Sequence, residues 1–113
     1  MTTNLPQDQA SQIAEKAIEY SLIQEENIVV YVLNANRKPI VFMRMDGCSE
    51  FDEDQMAFAK AYTAIVPKIT GVPGEIDIRD EDGQVLGAIG VSGSTDENTD
   101  EEIAKAAVSW WNY

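Results

Sequence analysis

Arg44, Asp46 and Gly47 stand together in the run MRMDG, where a planar guanidinium can grip a carboxylate through two parallel hydrogen bonds. In that reading Asp46 fixes either the arginine or the turn that follows. A plainer reading pairs Arg44 with one of the chain's many acids and spends Asp46 on a bond to its own backbone. Gly90, Ser92, Gly93 and Ser94 form a second candidate, a corner whose amides open onto a helix start and could hold an anion. Asp96 and Glu97 already bring negative charge there, so a close-packed corner with a helix cap is the alternative. Thr63 could face the sheet edge, or bond back to the preceding helical turn. Met43, Met45, Met56, Cys48 and Tyr62 are the soft or phenolic groups that could approach a metal, although such residues at strand or helix spacing also fill cores. With no histidine in the chain, Ser-His and Cys-His nucleophiles are excluded, and no GxxxxGK phosphate loop occurs.

Composition narrows the partners. The 113 residues amount to one domain. Twenty acidic against eight basic side chains give a formal charge of -12, which repels nucleic-acid phosphates and anionic membranes. The plain use of that excess is solubility. A lone Cys48 excludes an internal disulfide, and no Cys or His cluster builds a zinc site. No signal-like start or membrane-length apolar run is present, so a cytoplasmic location is expected.

The elements that must position these residues follow from apolar spacing. Ala10, Ile13, Ala14, Ala17, Ile18 and Leu22 recur at three and four, which predicts a helix over about 7 to 23 after a loose start at 1 to 6. Ile28 to Leu33 and Pro39 to Arg44 read as a hairpin around Asn34-Ala35-Asn36-Arg37. In its second strand Ile40, Phe42 and Arg44 point one way and Val41, Met43 and Met45 the other. Met56, Ala57, Ala59, Ala61, Tyr62, Ala64 and Ile65 predict a helix over about 52 to 66, with Lys60 as its polar member. Asp52, Glu53 and Asp54 then oppose the macrodipole rather than bind metal. Residues 69 to 74 read as loop and Glu75 to Arg79 as a half-exposed strand. Asp80-Glu81-Asp82-Gly83 turns the chain and lacks calcium-loop spacing. Val85 to Val91, apolar or glycine throughout, is expected to be the interior strand. Ser94/Glu97 and Thr99/Glu102 fit helix-start boxes for a third helix over about 98 to 111. Of Trp110, Trp111 and Tyr113, one tryptophan is expected to pack inside and the other to meet another subunit. The sum is an α+β layered domain, a profilin-like sandwich with a mainly antiparallel sheet of four to five strands covered by three helices.

Three blocks, VFMRMDGC, AKAYTA and LGAIGVSGSTDENTDEEIAKAA, resemble in order and spacing the GlcG/HbpS-like (haem-degrading, DUF336) family, similar also to the C-terminal domain of PduO-type proteins. The resemblance spans roughly residues 10 to 110. It implies a profilin-like sandwich, assembly into at least a homodimer and, in some members, binding of haem, iron or a related tetrapyrrole. The chain departs from the family in three respects. Only Ile65 to Glu75 separates the second helix from the next strand, Asn34 to Arg37 replaces a commonly glycine-rich turn, and no histidine can serve haem iron. The expected role is a non-catalytic binding or accessory module for a small ligand. The alternatives are an enzyme acting on a small organic acid or cofactor, with Arg44 as clamp and Asp46 as base, or a structural oligomeric subunit.

Overall fold

The computed structural model describes residues 5–48, 53–65 and 75–111. Among the described residues seven elements follow one another: α1 (Gln7–Ile23), β1 (Val29–Asn34), β2 (Pro39–Arg44), α2 (Glu53–Ala64), β3 (Glu75–Arg79), β4 (Val85–Ser92) and α3 (Glu97–Trp111). The strands form one antiparallel sheet in the order β2-β1-β4-β3. The α+β expectation therefore holds, with β4 in the interior as its unbroken apolar run required. Residues 52 and 66 to 74 lie outside the described residues.

The sheet is covered on both faces. On one, α1 and α3 close over Val30, Val32, Ile78, Ile89 and Val91, while Ile13, Ala17, Ile103 and Ala107 supply the helical side of the core. On the other, α2 lies across β1 and β4 over Leu33 and Ala88. Gly90 sets how closely it approaches: a Cβ there would stand 2.0 Å from the Ala57 carbonyl oxygen and 2.7 Å from the Ala61 nitrogen, so only glycine lets the backbone of α2 rest on β4.

Five details differ from the spacing-based reading. Leu5, placed in the loose start, is buried in the core. Leu22 is 63% exposed, because Ser21, four residues after Ala17, continues the inner stripe of α1 and its hydroxyl donates to Glu26 O at 2.7 Å. The register shifts between Val32 and Leu33 as a bulge at Ile40, and Ile40 packs on the same core as Val41 instead of alternating with it. Met56 and Tyr62 are over 40% exposed, whereas Lys60 is 2% exposed. Finally, α3 is capped by neither predicted box. Asp96 is its cap, accepting from Asn98 N at 2.8 Å while its carbonyl takes Asp100 N, because the helix begins immediately after it. Among the described residues no helix is long and apolar enough to cross a membrane.

Candidate functional site

The hairpin strand β2 delivers Arg44 at its end, and Met45 to Cys48 form the turn that follows, closed by Cys48 N donating to Met45 O at 3.3 Å. Gly47 takes the third position with φ +85, which a side chain there would disfavour. Around this turn two of the sequence-predicted stretches meet. A Cβ on Gly47 would lie 3.1 Å from Asn27 Nδ2, and one on Gly93 2.8 Å from Cys48 Sγ and 3.0 Å from Asn27 O. Arg44, Asp46, Gly47 and Gly93 thus gather about Asn27 and Cys48.

The other candidates are elsewhere and occupied. Ser92 is buried and donates to Glu53 Oε2 at 2.5 Å. Gly90 lies under α2. The Thr63 hydroxyl bonds back to Ala59 O and Lys60 O at 2.9 and 3.1 Å, the ordinary helical alternative considered for it. Ser94 N donates to Asp100 Oδ1 at 3.1 Å, so the amide proposed for an anion already has a carboxylate. These placements draw Gly90, Ser92 and Thr63 away from a common pocket, because each is spent on holding α2 to the sheet or on α2 itself.

An open groove of ≈ 390 Å³ runs beside the turn, lined by Ile18, Leu22, Asn27, Arg44, Met45 and Asp46. Two apolar side chains of α1 share its lining with Met45, Arg44, Asp46 and Asn27, the mixture that suits an amphipathic ligand. Arg44 is ion-paired to Asp54 of α2, which directs the guanidinium from β2 toward the α2 layer. Met45 Sδ accepts the Ile28 amide at 3.3 Å, and Met43 packs against the core. Cys48 is wedged against Gly93, and Tyr62 stacks near Phe58 at 5.8 Å. Of these groups only Met45 lines the groove, its sulfur engaged by the Ile28 amide, and no histidine exists to serve as an axial ligand.

Sequence reasoning missed two features. Lys60 of α2 and Asp100 of α3 form a buried ion pair at 3.3 Å, side chains 2% and 4% exposed, and Lys60 Nζ also donates to Val91 O at 2.9 Å. Burial pushes the Asp100 carboxyl above its ordinary value, and the Ser94 hydrogen bonds and the Lys60 charge pull it part of the way back. The second feature is a ladder of four rings, Phe42, Tyr31, Phe58 and Tyr62, with successive centroids 4.7, 5.4 and 5.8 Å apart. The signal for the first was present, since 53, 57, 60, 61 and 64 fall on one helical face; charge was taken to mean exposure. The second joins three elements and has no signature along the chain.

The described part of the C-terminal cluster packs inward. Trp111 Nε1 donates to Gln9 Oε1 at 3.0 Å and the ring sits against the core, while the Trp110 side chain and Tyr113 lie outside the described residues.

Comparison with known proteins places this architecture. No curated protein matches. Among solved structures, a double mutant of HbpS from Streptomyces reticuli superposes with a TM-score of 0.87 at 20% identity, covering 100% of this chain and 90% of its own. ORFY of Klebsiella pneumoniae, a DUF336 protein, gives 0.82 at 18% identity over 98% and 92%. PduOC in complex with haem gives 0.82 at 20% identity over 95% and 94%. At these identities the structures establish the fold. The family model of the haem-degrading HbpS-like proteins matches residues 5–70. That match takes in α1, the β1–β2 hairpin, α2 and the groove between them, more than half of the 113 residues, and the chain belongs to the HbpS-like family.

Proposed function

We propose that this chain is a small-ligand-binding or accessory protein that holds a carboxylate-bearing, amphipathic ligand of the tetrapyrrole type in the groove beside Arg44. The observation that carries the reading is the groove itself, where Ile18, Leu22 and Met45 meet Arg44, Asn27 and Asp46 within ≈ 390 Å³. Family membership and the haem found with PduOC point to the same ligand class. Arg44 would take a ligand carboxylate as a further acceptor of its fork of donors, with Asp54 holding the group in place. The apolar side chains of α1 would cover part of a flat ring. The donor set does not fit axial ligation of iron, because Met45 Sδ is bonded to Ile28 N and the chain lacks histidine. Recognition would therefore rest on the ring and its carboxylates.

Titration with haem and with the metal-free dicarboxylate porphyrin tests this. Both are expected to bind with similar affinity, and Arg44→Ala is expected to weaken both about tenfold, the worth of one charge-assisted contact. A flat spectrum with both, or binding that needs the iron, would overturn it. The same reading includes assembly into at least a dimer. It is supported by the exposed end of α1, where Ile23, outside the groove, is 74% exposed. Native mass spectrometry that shows only monomer at micromolar concentration would count against it.

A further inference from the structure

The β1–β2 turn closes in an unusual way for the residues it uses. Asn34 N donates to Lys38 O, Arg37 N donates to Asn34 O, and Asn34 Oδ1 accepts from Asn36 N and Lys38 N at 2.8 and 3.1 Å. This is a tight turn followed by one left-handed residue, a position that glycine or asparagine fills at little cost. Here it is Arg37, with φ +63. Glu25, just past α1, shares that conformation with φ +58, and both positions would suit glycine or asparagine.

The strained backbone places the guanidinium over the Tyr62 ring, with Cζ 4.8 Å from the centroid. Its Nε is buried and has no acceptor among the described residues. Beneath and beside it run the rings of Tyr62, Phe58, Tyr31 and Phe42, of which Tyr62 and Phe42 are 41% and 43% exposed. Among the described residues α2 packs on β1, β4 and β3, and Phe42 of β2 and Tyr62 stay partly exposed. Lys38 stands exposed next to Arg37, so one of the few cationic spots of an otherwise strongly acidic chain adjoins an open aromatic surface. A local positive charge beside partly exposed aromatic rings suits a planar anion.

We propose that the aromatic ladder between α2 and β2, with Arg37 at its Tyr62 end, is a binding site for a small planar aromatic carboxylate. The ring of such a ligand lies against the Tyr62 end of the ladder, and its carboxylate pairs with the partly exposed Arg37 guanidinium. The site is separate from the groove beside Arg44 and takes a smaller ligand.

The test uses 2-naphthoate as probe and its uncharged amide as control, followed by the aromatic proton signals of Phe42 and Tyr62. Saturable 2-naphthoate binding at about 1 mM or tighter is expected for thirteen heavy atoms. The amide should bind at least tenfold more weakly. Arg37→Gly is the decisive variant, because it removes the cation and suits the left-handed backbone, so the melting temperature should hold or rise while naphthoate binding falls at least tenfold. Lys105→Gln, a cation lost from the outer face of α3, should leave binding unchanged. Porphyrin titration of Arg37→Gly should match the parent, so the two sites fail independently. Equal binding of acid and amide, binding that survives Arg37→Gly, or no saturable binding would each overturn the proposal. A fall in melting temperature in Arg37→Gly with no naphthoate response in the parent would make Arg37 a clasp of the fold alone.

Discussion

Lys60 is buried in the layer between α2 and β4, held there by Asp100 and the Val91 carbonyl. Removing one member of such a pair leaves the other charged and dry, which costs about 3–5 kcal/mol, whereas replacing both with apolar groups costs much less. Lys60→Met is therefore expected to lose that much in urea unfolding at neutral pH, and Lys60→Met with Asp100→Leu to recover most of it. The pH dependence has a definite sign. A carboxyl whose folded pKa lies above its unfolded one favours the folded state below the unfolded value, and that contribution is lost as pH rises through the folded value. Without Lys60 the folded value climbs further, so the deficit of Lys60→Met should shrink as pH falls into the carboxylate range. A deficit that stays constant between about pH 7 and about pH 4 would show that Asp100 does not respond to Lys60. Neither residue touches the groove, and Arg44→Ala should leave this balance unaltered.

The meeting of α2 with β4 is where the fold tolerates least. Gly90→Ala would drive a methyl into the carbonyl of Ala57, backbone that cannot rotate away, and should destabilise by about 3 kcal/mol or more in denaturant unfolding. Loss of less than about 1 kcal/mol would mean that α2 can lift off the sheet. The positions of α1, the hairpin, β4 and α3 were legible in the sequence because their apolar periods are clean, and β4 was legible as interior because nothing polar interrupts Val85 to Val91. The inner face of α2 was misread because Lys60 looked like solvent-side punctuation, while Met56 and Tyr62 looked like core. The cap of α3 was ambiguous for a different reason: Ser94, Thr95, Asp96 and Thr99 all have cap chemistry, and only the first helical turn decides among them. Of the site, the cluster around Arg44 could be read from MRMDG. The role of Arg37 could not, since a backbone φ leaves no mark on residue types.

Among the described residues most of the excess acid lies on the outside, including Glu81 and Asp82 of the turn before β4 and Glu97 at the start of α3, while Arg37, Lys38 and Arg44 stand on the single β1–β2 hairpin. A net charge of -12 on a domain of this size repels itself, and salt should relieve that. Raising salt from about 10 mM to about 0.5 M is expected to raise the melting temperature by ~4–8 °C, the equivalent of about 1 kcal/mol. A drop instead would mean that exposed pairs such as Lys16–Glu19 and Lys105–Glu101 outweigh the repulsion. The hydrogen bond from Trp111 to Gln9 joins positions 102 residues apart. During synthesis α1 must wait for most of the domain to leave the ribosome before its partner helix exists, so its greasy stripe is a liability for nascent chains, and chaperone dependence should be greatest just before α3 emerges.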